Sequence, residues 1–166
     1  AAPVQLEKAI QYANSSILSK TLIDPSLKGM GTTVSMVTLA RHMAFWGHVG
    51  DSRIYLYRDG EFKQISVDHT IVQVLLEKGK ITEEEAMDHP QRHVLTRAVG
   101  VDENLVVDSG AFEVQPKDRI LICSDGLTSF IQKQELYDAI GDYRRTDRAT
   151  IKHIVARVYE NAANEK

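Results

Sequence analysis

The residues of this chain best suited to chemistry are two aspartates set in like surroundings. Asp51 follows an apolar run within Gly47-His48-Val49-Gly50-Asp51-Ser52-Arg53, and Asp125 follows another within Ile120-Leu121-Ile122-Cys123-Ser124-Asp125-Gly126. Carboxylates presented from rigid strand ends suit hard divalent cations such as Mg²⁺ or Mn²⁺, which take oxygen ligands and retain several waters. Asp-Gly and Gly-Asp pairs are also ordinary turns, and either motif alone reads as a turn before it reads as a ligand.

Other chemistries fare worse at the same residues. A cysteine-dependent phosphatase needs an arginine six residues after its nucleophile; Ser129 stands six after Cys123, the single cysteine, which reads as a small buried hydrophobe. Gly29-Met30-Gly31-Thr32-Thr33 is glycine-rich but lacks the Gly-Lys-Ser/Thr ending of a nucleotide-binding loop and precedes a strand. The six histidines show neither HExxH nor paired Cys/His spacing, which disfavours zinc, and His89 with His93 reads as a polar loop. A Ser-His-Asp triad finds no Gly-x-Ser-x-Gly elbow.

The elements that must position the aspartates are legible from periodicity. Leu6, Ile10, Ala13 and Ile17 predict a helix over 4–20, entered through Pro3. Residues 32–40 and 42–49 read as strands with a short antiparallel connection. Residues 54–57 and 61–65 flank Arg58-Asp59-Gly60, a strong hairpin signal. The expectation is a meander of about four strands over 32–65. Helix patterns at 68–79 and 82–87, with Asp68 and Thr82 as N-caps, precede the polar Asp88-His89-Pro90-Gln91-Arg92-His93. Strands return at 105–114 and 120–123, joined by Gln115-Pro116-Lys117-Asp118, and helices follow at 132–140 and 147–161. The last presents Ile151, Ile154, Val155 and Val158 on one face. Helix, antiparallel strands, then further strands and helices predict a layered α+β domain, without repeats or low-complexity segments.

Composition bounds the partners. The 166 residues are 43% hydrophobic, enough for one core and one domain, and the net charge of -3 gives no basic field to attract nucleic acid or anionic lipid. No apolar run approaches the roughly 20 residues that span a bilayer, and the first residues lack a basic region followed by an apolar one. A cytoplasmic chain is the default, and a lone cysteine agrees with a reducing compartment.

One series of motifs carries more than any single residue. Gly-Met-Gly-Thr-Thr at 29–33, His-Val-Gly-Asp-Ser-Arg from 48, Asp-His-Thr at 68–70, His-Pro-Gln-Arg-His-Val-Leu-Thr-Arg-Ala-Val-Gly at 89–100 and Asp-Arg-Ile-Leu-Ile-Cys-Ser-Asp-Gly-Leu at 118–127 occur in order. The chain thereby resembles the bacterial PPM-type, or type 2C, metal-dependent serine/threonine protein phosphatases over nearly its whole length. The resemblance implies an αββα sandwich of two antiparallel sheets flanked by helices, with a two-metal centre that activates water for attack on a phosphomonoester. It implies Asp125 as a ligand at the central centre and Asp51 as a ligand of an additional, weaker metal site. It makes 66–97 the family's flap, a segment beside the active site that influences substrate choice, with His93 in reach of the additional metal; by its surroundings His93 is a surface histidine. Ser52 and Arg53 read as organisers of the turn.

The family draws further ligands from an Asp-Gly motif ahead of its first long helix, an earlier Glu, and a late Asp-Asn. None of these occurs here, so the resemblance implies a single domain over 1–166 that is incomplete at both ends. Two functions follow: an enzyme that dephosphorylates phosphoserine and phosphothreonine in proteins, reversing a bacterial kinase, or a non-catalytic, pseudophosphatase-like module that binds partners. Phosphorylated proteins and their Ser/Thr kinase are the partners of the first.

Overall fold

A computed structural model describes residues 2–164. Their contacts cluster into two compact units, each discontinuous in sequence: Ala1–Ser52 with Ser66–Val114, and Arg53–Ile65 with Gln115–Lys166. Each unit is a three-stranded antiparallel sheet covered by helix. The α+β class and the two antiparallel sheets agree with the reading from sequence.

In the first unit, strands β1 (Val34–Ala40) and β2 (Met43–Val49) form a hairpin across the Arg41-His42 turn. Strand β5 (Asp108–Glu113) completes the order β1-β2-β5. Helix α1 (Ala2–Ile23) is longer than expected and packs on β2 and β5. Its predicted stripe holds: Ile10 is buried with Val49, Val99 and Leu105, and Ala13 and Ile17 pack on that cluster. Burying Leu6 and Ile10 is worth roughly 2 kcal/mol each.

In the second unit, β3 (Arg53–Arg58) and β4 (Glu61–Gln64) form the Asp59-Gly60 hairpin. Both turn residues have positive φ, 49° and 82°, the twist that joins two right-handed strands. Tyr55 and Phe62 stack at 4.6 Å between ring centroids. Strand β6 (Arg119–Cys123) pairs with the other edge of β3. Helices α5 (Lys133–Gly141) and α6 (Asp147–Asn164) pack together, with α5 on β3. The core joins Tyr55, Tyr57 and Leu121 to Leu136, Ile140 and Ile154, with Cys123 half-buried at its margin. The Arg119 guanidinium donates to the carbonyls of Ile140 and Arg145 and lies 4.4 Å from the Tyr143 ring centroid. It thereby satisfies the Ile140 carbonyl, which the end of α5 leaves free.

Several expectations are corrected. The strands over 32–65 are two hairpins in different sheets, because the chain bends at Gly50 and Asp51 and β2 never pairs with β3. Helix α2 is Ile71–Glu77, capped by Thr70 and not Asp68. The residues before it stay extended, since the His69 amide donates to the Gly50 carbonyl and the Ile71 amide to that of Val94. Helix α3 (Glu83–Met87) has Thr82 as N-cap in a complete capping box with Glu85. Strand β5 starts three residues late, at Asp108 opposite His48 near the end of β2, and the Leu105 carbonyl accepts from the Gln11 side chain instead. On α6 only the Ile154 and Val158 stripe meets the core; Ile151 and Val155 are exposed.

Arg58 on β3 holds Asp118 with two hydrogen bonds, Nε to Oδ1 at 2.9 Å and an NH2 contact to Oδ2 at 2.7 Å. The Gln115 amide also donates to Asp118, closing the turn before β6. The Asp118 side chain is 3% exposed, so Arg58→Ala strands a buried carboxylate and is expected to lower stability by about 2 kcal/mol at neutral pH. The Arg58 hydrogen bond holds the Asp118 carboxyl below its ordinary value of 3.8. A depressed value stabilises the folded state above 3.8, and the contribution disappears as pH falls through the folded value. Urea unfolding is thus expected to show the variant's deficit at pH 7 and a smaller one in acid.

Candidate functional site

Asp51 and Asp125 lie in different units. Asp51 stands in the bend between β2 and β3, half-buried, after a glycine with φ of 109°. The bend is tied locally: the Ser52 and Thr33 hydroxyls are 2.8 Å apart, and Arg53 donates to the Tyr55 hydroxyl at 3.0 Å. Ser52 thus helps hold the turn, while the Arg53 bond runs along β3. Asp125 is exposed and is the first residue of α4 (Asp125–Thr128), a single helical turn after β6. The sequence reading treated this place as a strand end with a turn. His93 is exposed in the turns that follow α3.

Beside the Asp51 bend lies a polar cluster around the buried His69 that sequence reasoning passed over. The Gly50 amide donates to His69 Nδ1 at 3.0 Å, and the His69 amide donates to the Gly50 carbonyl at 2.8 Å. His69 Nε2 lies 2.9 Å from Asp108 Oδ2, and Arg97 donates to Asp108 Oδ1 at 2.7 Å. Because Nδ1 accepts the Gly50 proton, the imidazole proton sits on Nε2 and is donated to Asp108. Burial raises the Asp108 carboxyl, but the hydrogen bonds from His69 and Arg97 outweigh it and hold the group below the ordinary aspartate range.

His48 on β2 is fully buried, its ring centroid 4.9 Å from that of His69. Its Nε2 lies 3.0 Å from the Val67 carbonyl, which can only accept, so its Nδ1 accepts from the Ser35 hydroxyl at 2.9 Å. Burial, and then the neighbouring His69, pushes His48 below the ordinary histidine value, so it is neutral near pH 7. Asp-His-Thr at 68–70 was the signal in sequence for this cluster; nothing local assigns its partners Asp108 and Arg97.

The fit of a hard divalent cation is partial. Asp51 and Asp125 offer carboxylate oxygens of the right chemistry, yet among the described residues no three His, Cys, Asp or Glu come together to hold an ion. A single carboxylate gives little negative charge against the cost of dehydrating a small cation. Calorimetric titration of the 166-residue chain with Mn²⁺ is expected to show at most one ion, with Kd of about 10⁻⁴ M or weaker. Two ions bound at micromolar affinity would contradict this.

Two helix-covered antiparallel sheets, with one acidic turn after β2 and another after β6, make this an α+β chain. Residues 1–160 match the protein phosphatase 2C family, and the chain belongs to it. It is 37% identical over 139 residues to the serine/threonine phosphatase stp of Listeria welshimeri, covering 84% of this chain and 55% of that one. The solved serine/threonine phosphatase PstP/Ppp of Mycobacterium tuberculosis matches with a TM-score of 0.88 at 34% identity, over 95% of this chain and 66% of that one. The catalytic domain of the serine/threonine protein phosphatase PstP in complex with two manganese ions matches with a TM-score of 0.83 at 32% identity, over 95% and 65%. The chain therefore spans little more than half the length of the Listeria relative. The resemblance read from the motif series is the family found. Among the described residues no helix is long and apolar enough to cross a membrane.

Proposed function

We propose that the intact protein hydrolyses phosphoserine and phosphothreonine in proteins with Mg²⁺ or Mn²⁺ as cofactor, reversing a Ser/Thr kinase in the cytoplasm. In this reading the two units belong to one phosphatase domain. Asp125 is a ligand of the central metal centre and Asp51 of an additional, weaker site; residues 66–97 are the flap, and His93 sits on it. The observation that carries the reading is the family match over residues 1–160, supported by serine/threonine phosphatases among the relatives. The bound metal supplies an activated water; this chain's own residues supply carboxylate oxygens and the rigid turns that present them.

A second reading is favoured by one observation, the lack of a three-residue ligand cluster among the described residues. It makes the chain a pseudophosphatase-like module that binds phosphoproteins without turning them over. Phosphate release from a phosphothreonine peptide separates the two. The intact protein is expected to be active with millimolar Mn²⁺, silent in EDTA and restored by added Mn²⁺. Peptide binding without release under all three conditions would favour the module and sink the enzyme.

A further inference from the structure

We propose that His69 is the positioning residue of the Gly50–Ser52 bend, and hence of Asp51, and that through Asp108 and Arg97 it fastens this bend to the base of the 66–97 segment. The consequence for metal or substrate rests on the phosphatase reading; the positioning itself does not.

His69 holds the bend at Gly50, beside the Ser52 to Thr33 contact. Gly50 sits at a φ of 109°, outside every regular element, so its amide and carbonyl have no ladder partner. Both are satisfied by one residue, the amide by the His69 ring and the carbonyl by the His69 backbone. His69 is 4% exposed, so water cannot readily replace either bond. A ring that accepts on one nitrogen and donates on the other has a fixed orientation. Asp108 fixes it at the far side, and Arg97 in turn holds Asp108.

The same residues close the base of the 66–97 segment. The His69 carbonyl accepts from the Thr96 amide at 2.9 Å, Thr70 bridges Leu95, and the Ile71 amide donates to Val94 at 3.0 Å. His48 holds the segment's beginning through Val67. The two ends of the segment are therefore zipped together at the residue whose ring holds Gly50. A displacement of either end pulls on the His69 ring, and the ring transmits it to the residue beside Asp51.

Two substitutions separate the halves of this clamp. His69→Gln keeps an amide nitrogen for Asp108 and offers nothing at Nδ1. His69→Asn keeps an oxygen near Nδ1 and cannot span to Asp108. Imidazole ¹H–¹⁵N correlations of the intact protein are expected to place the His69 proton on Nε2, with the Gly50 amide protected from hydrogen exchange. His69→Gln is expected to speed exchange at Gly50 about tenfold or more while Leu121 and Ile122 in the second unit keep theirs, and His69→Asn to retain most of the Gly50 protection. A proton on Nδ1, unchanged Gly50 exchange in His69→Gln, equal loss in both variants, or equal acceleration throughout the chain would each overturn the proposal. These data decide the positioning role whether or not the wild type releases phosphate; a silent wild type counts against the phosphatase reading alone.

Discussion

Asp125→Asn is expected to lower Mn²⁺-dependent hydrolysis of a phosphopeptide by the intact protein about a thousandfold, or about 4 kcal/mol at 1.4 kcal/mol per tenfold. The substitution keeps the shape of the side chain and removes its charge, so the loss falls on an interaction with a cation. Little of it can come from unfolding. Asp125 is exposed, and at the start of the single turn α4 its interaction with the helix terminus is worth about 0.5 kcal/mol. Asp51→Asn, at the proposed additional site, is expected to cost less turnover. Thermal unfolding midpoints of both variants should stay within a few degrees of the wild type. If Asp125→Asn turns over within about tenfold of wild type with its midpoint unchanged, Asp125 does not hold the central metal.

The parts of this molecule that sequence reveals are those governed by local rules. The α1 stripe follows from helical periodicity, the Asp59-Gly60 hairpin from the positive φ both turn residues adopt, and the α3 start from a capping box within four residues. What sequence hides depends on pairing between distant segments. β2 and β3 lie four residues apart and look like neighbours in one meander, yet each takes a partner some sixty residues away, β5 and β6. The bend at Gly50 and Asp51 is therefore a passage between units as well as the end of a strand.

The candidate site divides in the same way. Asp51 and Asp125 stand out because acidic residues after apolar runs form a visible local pattern. His69 stood in plain view in Asp-His-Thr, but its role depends on Gly50, Arg97 and Asp108, which are 19, 28 and 39 residues away. The start of α2 went wrong for the same reason. A cap at Asp68 is locally sound, and it loses to the bonds that residues 69 to 71 make with Gly50 and Val94.

Gly50→Ala is expected to destabilise the protein by about 3 kcal/mol in urea unfolding, more than the same change at an exposed turn glycine such as Gly29 or Gly79. Two costs combine. A residue with a side chain at φ of 109° is strained wherever it stands, and an added Cβ here would lie 2.4 Å from Thr33 Cγ2 and 3.2 Å from Thr33 Cα. Thr33 cannot simply withdraw, because the next residue, Val34, is registered opposite Val49 in the β1–β2 ladder. Nor can the bend move outward without lengthening the two bonds that His69 makes to Gly50, each worth about 1 kcal/mol. Gly79→Ala is the matched control. Gly79 also has a positive φ, 63°, but its Cβ would meet nothing within 4 Å, so the change carries backbone strain alone, about 1 kcal/mol. A Gly50→Ala deficit no larger than that of Gly79→Ala would mean that the bend yields freely. The Asp51 carboxylate would then be presented by a flexible loop, and neither Thr33 nor His69 could be what sets its position.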